Sequence, residues 1–144
     1  MTHHHSGLTL FTPAYNEAES LPQLIAEIAD IRTQIPMPFT CIICDDGSND
    51  TTDEIVSELQ KDHAWLAYFP SSKRVGKSHI LYDAINHHPA ELCLIMDADL
   101  QQHSHDIPNM LSMYKETGVD LIVGWRKDRH DPAIKIFVSR LYTY

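Results

Sequence analysis

Positive charge is scarce in this chain of 144 residues: 11 lysines and arginines stand against 20 aspartates and glutamates, a formal net charge of −9. A body this acidic lacks the basic surface that supplies most nucleic-acid affinity, so nucleic acid is excluded as a partner. Long apolar runs are missing as well. None approaches the roughly 18 residues that span a bilayer, and no secretory signal opens the sequence. Glycine is limited to 5 residues, and no G-x-G-x-x-G occurs, which removes the dinucleotide fingerprint. The 3 cysteines all lie in apolar runs, Cys41 and Cys44 in FTCIIC and Cys93 in ELCLIM, and read as packed core thiols in a reducing compartment. Residues three apart on a strand point to opposite faces, so the Cys41 and Cys44 sulfurs diverge and do not form a redox or zinc pair.

What remains is a globular composition, 43% hydrophobic and 22% charged, which excludes disordered and fibrous architectures. Met1 to Gly7 reads as a tag remnant or a native tail, with one domain expected over 8–144. Leu8 to Phe11 forms a first strand that proline at 13 should stop. Leu21, Leu24, Ile25, Ile28 and Ile31 then recur at helical spacing, with Asn16 and Glu19 as an expected capping box. Phe39–Cys44 reads as a second strand, Thr52–Lys61 as a helix, Leu66–Phe69 as a weak strand and Lys77–His87 as a helix. Leu92–Met96 is the most apolar and, by expectation, the most buried strand. A helix over Ile107–Tyr114, a fifth strand over Leu121–Val123 and a last helix over Pro132–Tyr144 complete the order. Alternating strands and helices predict an α/β fold, a mostly parallel sheet with helices on both faces and ligands at the carboxyl ends of the strands.

The polar motifs fall at those ends. Gly76-Lys77-Ser78 opens a helix as a phosphate-binding loop would, but the required upstream glycine is Ser71, so Lys73, Arg74 and Lys77 read as a basic loop. Asp45-Asp46 can bind a metal, accept a proton, hydrogen-bond a ribose or base edge, or cap the following turn with Ser48 and Asn49. Asp97-Ala98-Asp99 follows the most apolar strand, where two carboxylates, with Gln101 as a further oxygen donor, suit Mg²⁺ or Mn²⁺. His103 and His105 lack a third soft ligand and read as loop histidines.

Taken in order, Thr12-Pro13-Ala14-Tyr15-Asn16-Glu17, Asp45-Asp46-Gly47-Ser48-Asn49-Asp50-Thr51, Asp97-Ala98-Asp99-Leu100-Gln101 and Val123-Gly124-Trp125-Arg126 resemble glycosyltransferase family 2. These are inverting enzymes of GT-A fold, and the resemblance is closest to the dolichol-phosphate mannosyltransferase-like branch, from Leu8 to the C-terminus. It implies a sugar moved from a nucleotide-diphosphate sugar to a polyprenyl phosphate, or to another glycan or lipid acceptor, with a divalent metal. It implies that Pro13, Tyr15 and Glu17 line the base and ribose pocket, that Asp46 contacts the base and that Ala98 lies against the nucleotide. Asp97 would face the sugar or ribose, Asp97, Asp99 and Gln101 would hold the metal, and Arg126 would contact the donor or acceptor phosphate. A nucleotide-sugar-binding module that transfers nothing, and a relative using a sugar hydroxyl acceptor, stay open beside it.

Two segments depart from the family pattern, Arg74-Val75-Gly76-Lys77-Ser78-His79 and Gln102-His103-Ser104-His105. The resemblance also implies a chain shorter than a complete catalytic domain. In the last helix, Ile134, Phe137, Val138, Leu141 and Tyr142 form one apolar stripe beside Lys135 and Arg140. That fits a core helix or a basic amphipathic helix at a membrane surface. The expected setting is the cytoplasm, at the cytoplasmic face of a membrane, with self-association or anionic-lipid binding.

Overall fold

A computed structural model describes residues 5–124. Its elements are β1 (His5–Ala14), α1 (Leu21–Arg32), β2 (Phe39–Asp45), α2 (Thr52–Asp62), β3 (Leu66–Pro70), α3 (Lys77–His87), β4 (Ala90–Ile95), a short 3-10 turn (Ser104–Asp106) and α4 (Ile107–Thr117). The sheet has the order β3-β2-β1-β4, and every pairing is parallel. The chain steps outward from β1 to β3, then α3 carries it back across to β4 on the other side of β1. Strand order therefore reverses between β1 and β4, the place where an open α/β sheet forms a ligand crevice.

Apolar spacing decides the packing. Leu21, Leu24, Ile25, Ile28 and Ile31 are all buried on α1, where they meet Leu8, Leu10, Cys41 and Ile43 from the sheet, with Val56 of α2 and Leu111 of α4. Each such side chain contributes about 1.5–3 kcal/mol by burial, and truncating one to alanine costs about 2–5 kcal/mol. On the opposite face Ile80, Leu81 and Ala84 of α3 cover Phe11, Ile42 and Cys44. Cys41 and Cys44 thus lie in different layers, as strand alternation requires. Burial pushes both thiols up to about 12.

Several expectations are corrected. β1 begins at His5, inside the stretch read as a tail, because His5 pairs with Ala90. It also runs through Pro13 to Ala14; pairing with β4 ends at Phe11, so beyond it β1 is an edge, where a proline with no N–H is tolerated. Asn16 and Glu19 do not cap α1, whose first turn is not acidic: the helix starts behind Ser20, and the Glu17 carbonyl accepts the Ser20 and Leu21 amides. Among the described residues β4 is an edge strand. α3 lies over β1 and β2, leaving Glu91, Cys93 and Ile95 exposed while Leu92 and Leu94 pack inward, so Cys93 is not a core thiol. Leu121–Val123 forms no strand; no described neighbour pairs with it, and Leu121 and Val123 are 76% and 77% exposed. The helix read over Pro132–Tyr144 lies outside the described residues. Among the described residues no helix is long and apolar enough to cross a membrane.

Candidate functional site

At the carboxyl ends of β1, β2 and β4 a cleft of about 200 Å³ opens. Pro13, Tyr15 and Glu17 line it from the end of β1, Asp46 from the end of β2, and Asp97, Ala98 and Asp99 from the loop after β4. Residues from three separated motifs thus converge as the sequence predicts. Gln101 is not on the cleft wall: it is exposed, and its N–H donates to Asp99 Oδ1 at 3.1 Å. Arg126 lies outside the described residues. Arg74, Gly76 and Lys77 complete the wall. Arg74 and Lys77 belong to the stretch that reads in sequence as a basic loop, and cations at the start of a helix in an acidic chain are the signal for their place here.

Backbone chemistry positions these groups. Asp46 is buried and accepts the amides of Val75 at 2.6 Å and Gly76 at 3.0 Å, with the Arg74 guanidinium 3.9 Å away. The amides that could have cradled a phosphate are thus held by a carboxylate of the chain itself. Gly76, at φ +97°, makes that turn in a region closed to other residues. Gly47 is at φ +72°, and a Cβ there would sit 2.6 Å from the Lys73 carbonyl carbon, so the turn after β2 and the basic loop touch backbone to backbone. Asp45 is the turn-capping partner. Its Oδ1 accepts the Ser48 amide at 2.9 Å and hydroxyl at 2.6 Å, and its Oδ2 accepts the Tyr68 hydroxyl. Burial, then the Asp45 carboxylate, raises the Tyr68 pKa, keeping that phenol a donor.

The loop carrying Tyr15 and Glu17 is stitched to the loop before α2. The Asn16 N–H donates to Ser48 Oγ at 2.8 Å, the Asn49 N–H to Asn16 Oδ1 at 2.9 Å, and the Glu17 N–H to Thr52 Oγ1 at 3.2 Å. Asn16 and Leu100 are the non-glycine residues at positive φ among the described residues, in the loops that follow β1 and β4 at the cleft. Leucine there is a local strain of the kind that gathers at functional sites.

Cations bridge the walls. The Arg74 guanidinium lies 4.1 Å over the Tyr15 ring, and Lys77 Nζ is 2.5 Å from Asp97 Oδ1. Among the described residues the lining holds four carboxylates (Glu17, Asp46, Asp97 and Asp99) and these two cations. Among the described residues no cluster of three histidine, cysteine or acidic side chains could hold an ion alone. Two carboxylates on one wall nonetheless fit Mg²⁺ or Mn²⁺, whose remaining positions water and a diphosphate fill. They are a poor match for zinc, whose sites are built mainly on histidine and cysteine, residues absent from the described lining.

The family model described as glycosyl transferase family 2 matches residues 9–140. The chain is 32% identical over 127 residues to the dodecaprenyl-phosphate galacturonate synthase of Rhizobium johnstonii, covering 86% of this chain and 37% of that protein. It is 27% identical over 135 residues to the undecaprenyl-phosphate 4-deoxy-4-formamido-L-arabinose transferase of Yersinia enterocolitica, covering 93% and 41%. The chain thus spans about two fifths of the curated relatives it matches. Among solved structures it is similar to the mannosyltransferase PcManGT from Pyrobaculum calidifontis in complex with GDP-Man and Mn²⁺, with TM-score 0.59 and 28% identity over 74% of this chain and 32% of that one. S. aureus TarS shares the fold at TM-score 0.68 and 20% identity, over 88% of this chain and 38% of that one.

Proposed function

The chain belongs to glycosyltransferase family 2, and from that premise we propose that it binds the donor for an inverting transfer of sugar from a nucleotide-diphosphate sugar to a polyprenyl phosphate. The observation that carries the proposal is the convergence of Tyr15, Glu17, Asp46, Asp97 and Asp99 on one cleft at the strand-order reversal. The named acceptors of the two relatives, dodecaprenyl and undecaprenyl phosphate, support the acceptor class. The GDP-Man and Mn²⁺ complex of the archaeal mannosyltransferase supports the donor class and the metal.

In this reading Tyr15 and Glu17 meet the base and ribose, and Asp46 acts beside them on the base. Asp97 faces the ribose or sugar, with Ala98 against the nucleotide. Asp97 and Asp99 hold the divalent ion, which supplies Lewis-acid stabilisation of the departing diphosphate. An acceptor phosphate oxygen forms the new bond to the anomeric carbon. The bond from that carbon to the diphosphate oxygen breaks, and its electron pair leaves with the nucleoside diphosphate. The attacking phosphate is already ionised near neutral pH, so no carboxylate is asked to act as general base. A cleft with more acids than cations repels a diphosphate, so Arg74 and Lys77 have a place in binding it. Arg126 is assigned to the donor or acceptor phosphate on the family pattern alone. In this reading the protein works at a membrane surface, on the cytoplasmic face, a setting that the polyprenyl-phosphate names of the relatives support in its membrane part.

Calorimetric titration of the chain with a panel of UDP- and GDP-sugars, with and without Mn²⁺, tests the reading. Metal-dependent binding of one nucleotide class is expected. Absence of binding across the panel overturns it.

A further inference from the structure

Lys77 is the first residue of α3, where a positive charge opposes the helix dipole and where the helix has no acidic residue in its first turn. Its position therefore does not serve the helix. Its ammonium instead crosses the cleft to Asp97 Oδ1 at 2.5 Å. The Lys77 side chain is 56% exposed and that of Asp97 24%, so the lysine is free to swing while the carboxylate is held in the wall. A divalent ion bound to that carboxylate meets the ammonium's like charge at close range, so the two cations compete for Asp97.

We infer that Lys77 is an exchangeable counter-cation: it neutralises Asp97 in the metal-free cleft, gives up that oxygen to the divalent ion, and passes to the donor diphosphate. This rests on the donor-binding reading above. Charge accounting favours the exchange. Metal-free, among the described residues, four carboxylates face Arg74 and Lys77. A diphosphate adds negative charge that the divalent ion and the released ammonium together offset. Metal alone must displace the lysine and binds weakly; metal with nucleotide gives the lysine a new partner. Binding of the two is thus positively coupled, and the coupling is reciprocal.

The experiment measures Mn²⁺ binding by electron paramagnetic resonance without nucleotide, and UDP and GDP binding by calorimetry with and without Mn²⁺. The full chain is compared with Lys77→Met and Lys77→Arg, all checked by circular dichroism. Lys77→Met is expected to bind Mn²⁺ alone about fivefold more tightly, the scale of removing a partly exposed competing charge. It should bind the nucleotide with Mn²⁺ about tenfold more weakly, having lost a charge-assisted phosphate bond. Lys77→Arg should keep the wild-type pattern. Unchanged Mn²⁺ affinity in folded Lys77→Met overturns the inference while leaving donor binding intact. If the wild type binds neither nucleotide, the donor-binding reading fails and the inference falls with it. An independent readout needs no variant: Mn²⁺ should increase amine labelling of Lys77 in the wild-type chain, and UDP or GDP added with it should restore protection. Labelling indifferent to Mn²⁺ overturns the exchange.

Discussion

Both carboxylate oxygens of Asp46 face the Gly76 amide at 3.0 Å, so the end of β2 grips the start of α3 across 30 residues of chain. The grip has the form of an anion held at a helix N-terminus, with the anion supplied by the protein. It fixes the loop that carries Arg74 over Tyr15. Asp46→Asn puts an amide donor where Val75 and Gly76 also donate. The expected loss is about 1–3 kcal/mol, from buried donors left unmatched, read as a lower denaturation midpoint, together with weaker nucleotide affinity even without metal. A variant that loses stability but keeps full affinity confines Asp46 to holding the loop.

Asp99 is the contrasting case. It is exposed, and its Oδ1 accepts the nearby Gln101 amide. Asp99→Ala should change stability by no more than about 0.5 kcal/mol and remove the Mn²⁺ dependence of UDP or GDP binding. Undiminished metal-dependent binding in this variant sinks the assignment of Asp99 as a metal ligand.

How far the sequence could be read followed from the range of the forces involved. Local periodicity places α3 from Lys77 to about His87, where the helix lies, and strand-end placement brings Tyr15, Asp46 and Asp97 to one cleft. Strand order is a long-range outcome, and an apolar run such as Leu92–Met96 reads the same at the centre or the edge of a sheet. Hence β4 was expected to be buried, yet Ile95 is 52% exposed. The expected Asn16 cap failed for a similar reason: Asn16 is bound by Asn49, a partner 33 residues away. Arg74 and Lys77 read in sequence as a basic loop, which is usually solvated, and only the fold turns these two across a cleft.

The cysteines test the layer assignment. Burial lifts Cys41 and Cys44 to about 12 and removes them from solvent, while Cys93 is exposed on β4, its pKa raised by partial burial. Folded protein at pH 8 should therefore yield one thiol to Ellman's reagent, slowly, and all 3 after unfolding. Mass mapping of the labelled site should return Cys93. Rapid labelling of Cys44 in the folded chain overturns the placement of α3 over it.

Asp50 joins the two loops that hold Tyr15 and Glu17, since its Oδ2 accepts the Ala18 amide at 3.3 Å and its Oδ1 the Thr52 amide at 3.0 Å and hydroxyl at 2.6 Å. Desolvation pushes its pKa up, but the bonds from Thr52 and Ala18 outweigh that and hold the carboxyl below its ordinary 3.8. A lowered folded pKa means that the folded state favours the charged form. The resulting stability is fully present above 3.8 and is lost as pH falls through the lower, folded value. Denaturation midpoints of the wild type and Asp50→Asn should therefore differ by a constant amount between neutral pH and about pH 5, and converge in stronger acid. Nucleotide affinity should follow the same curve, because the Ala18 bond sits one residue beyond Glu17. A midpoint difference that persists unchanged to about pH 2 would show that the carboxylate charge contributes nothing to this joint.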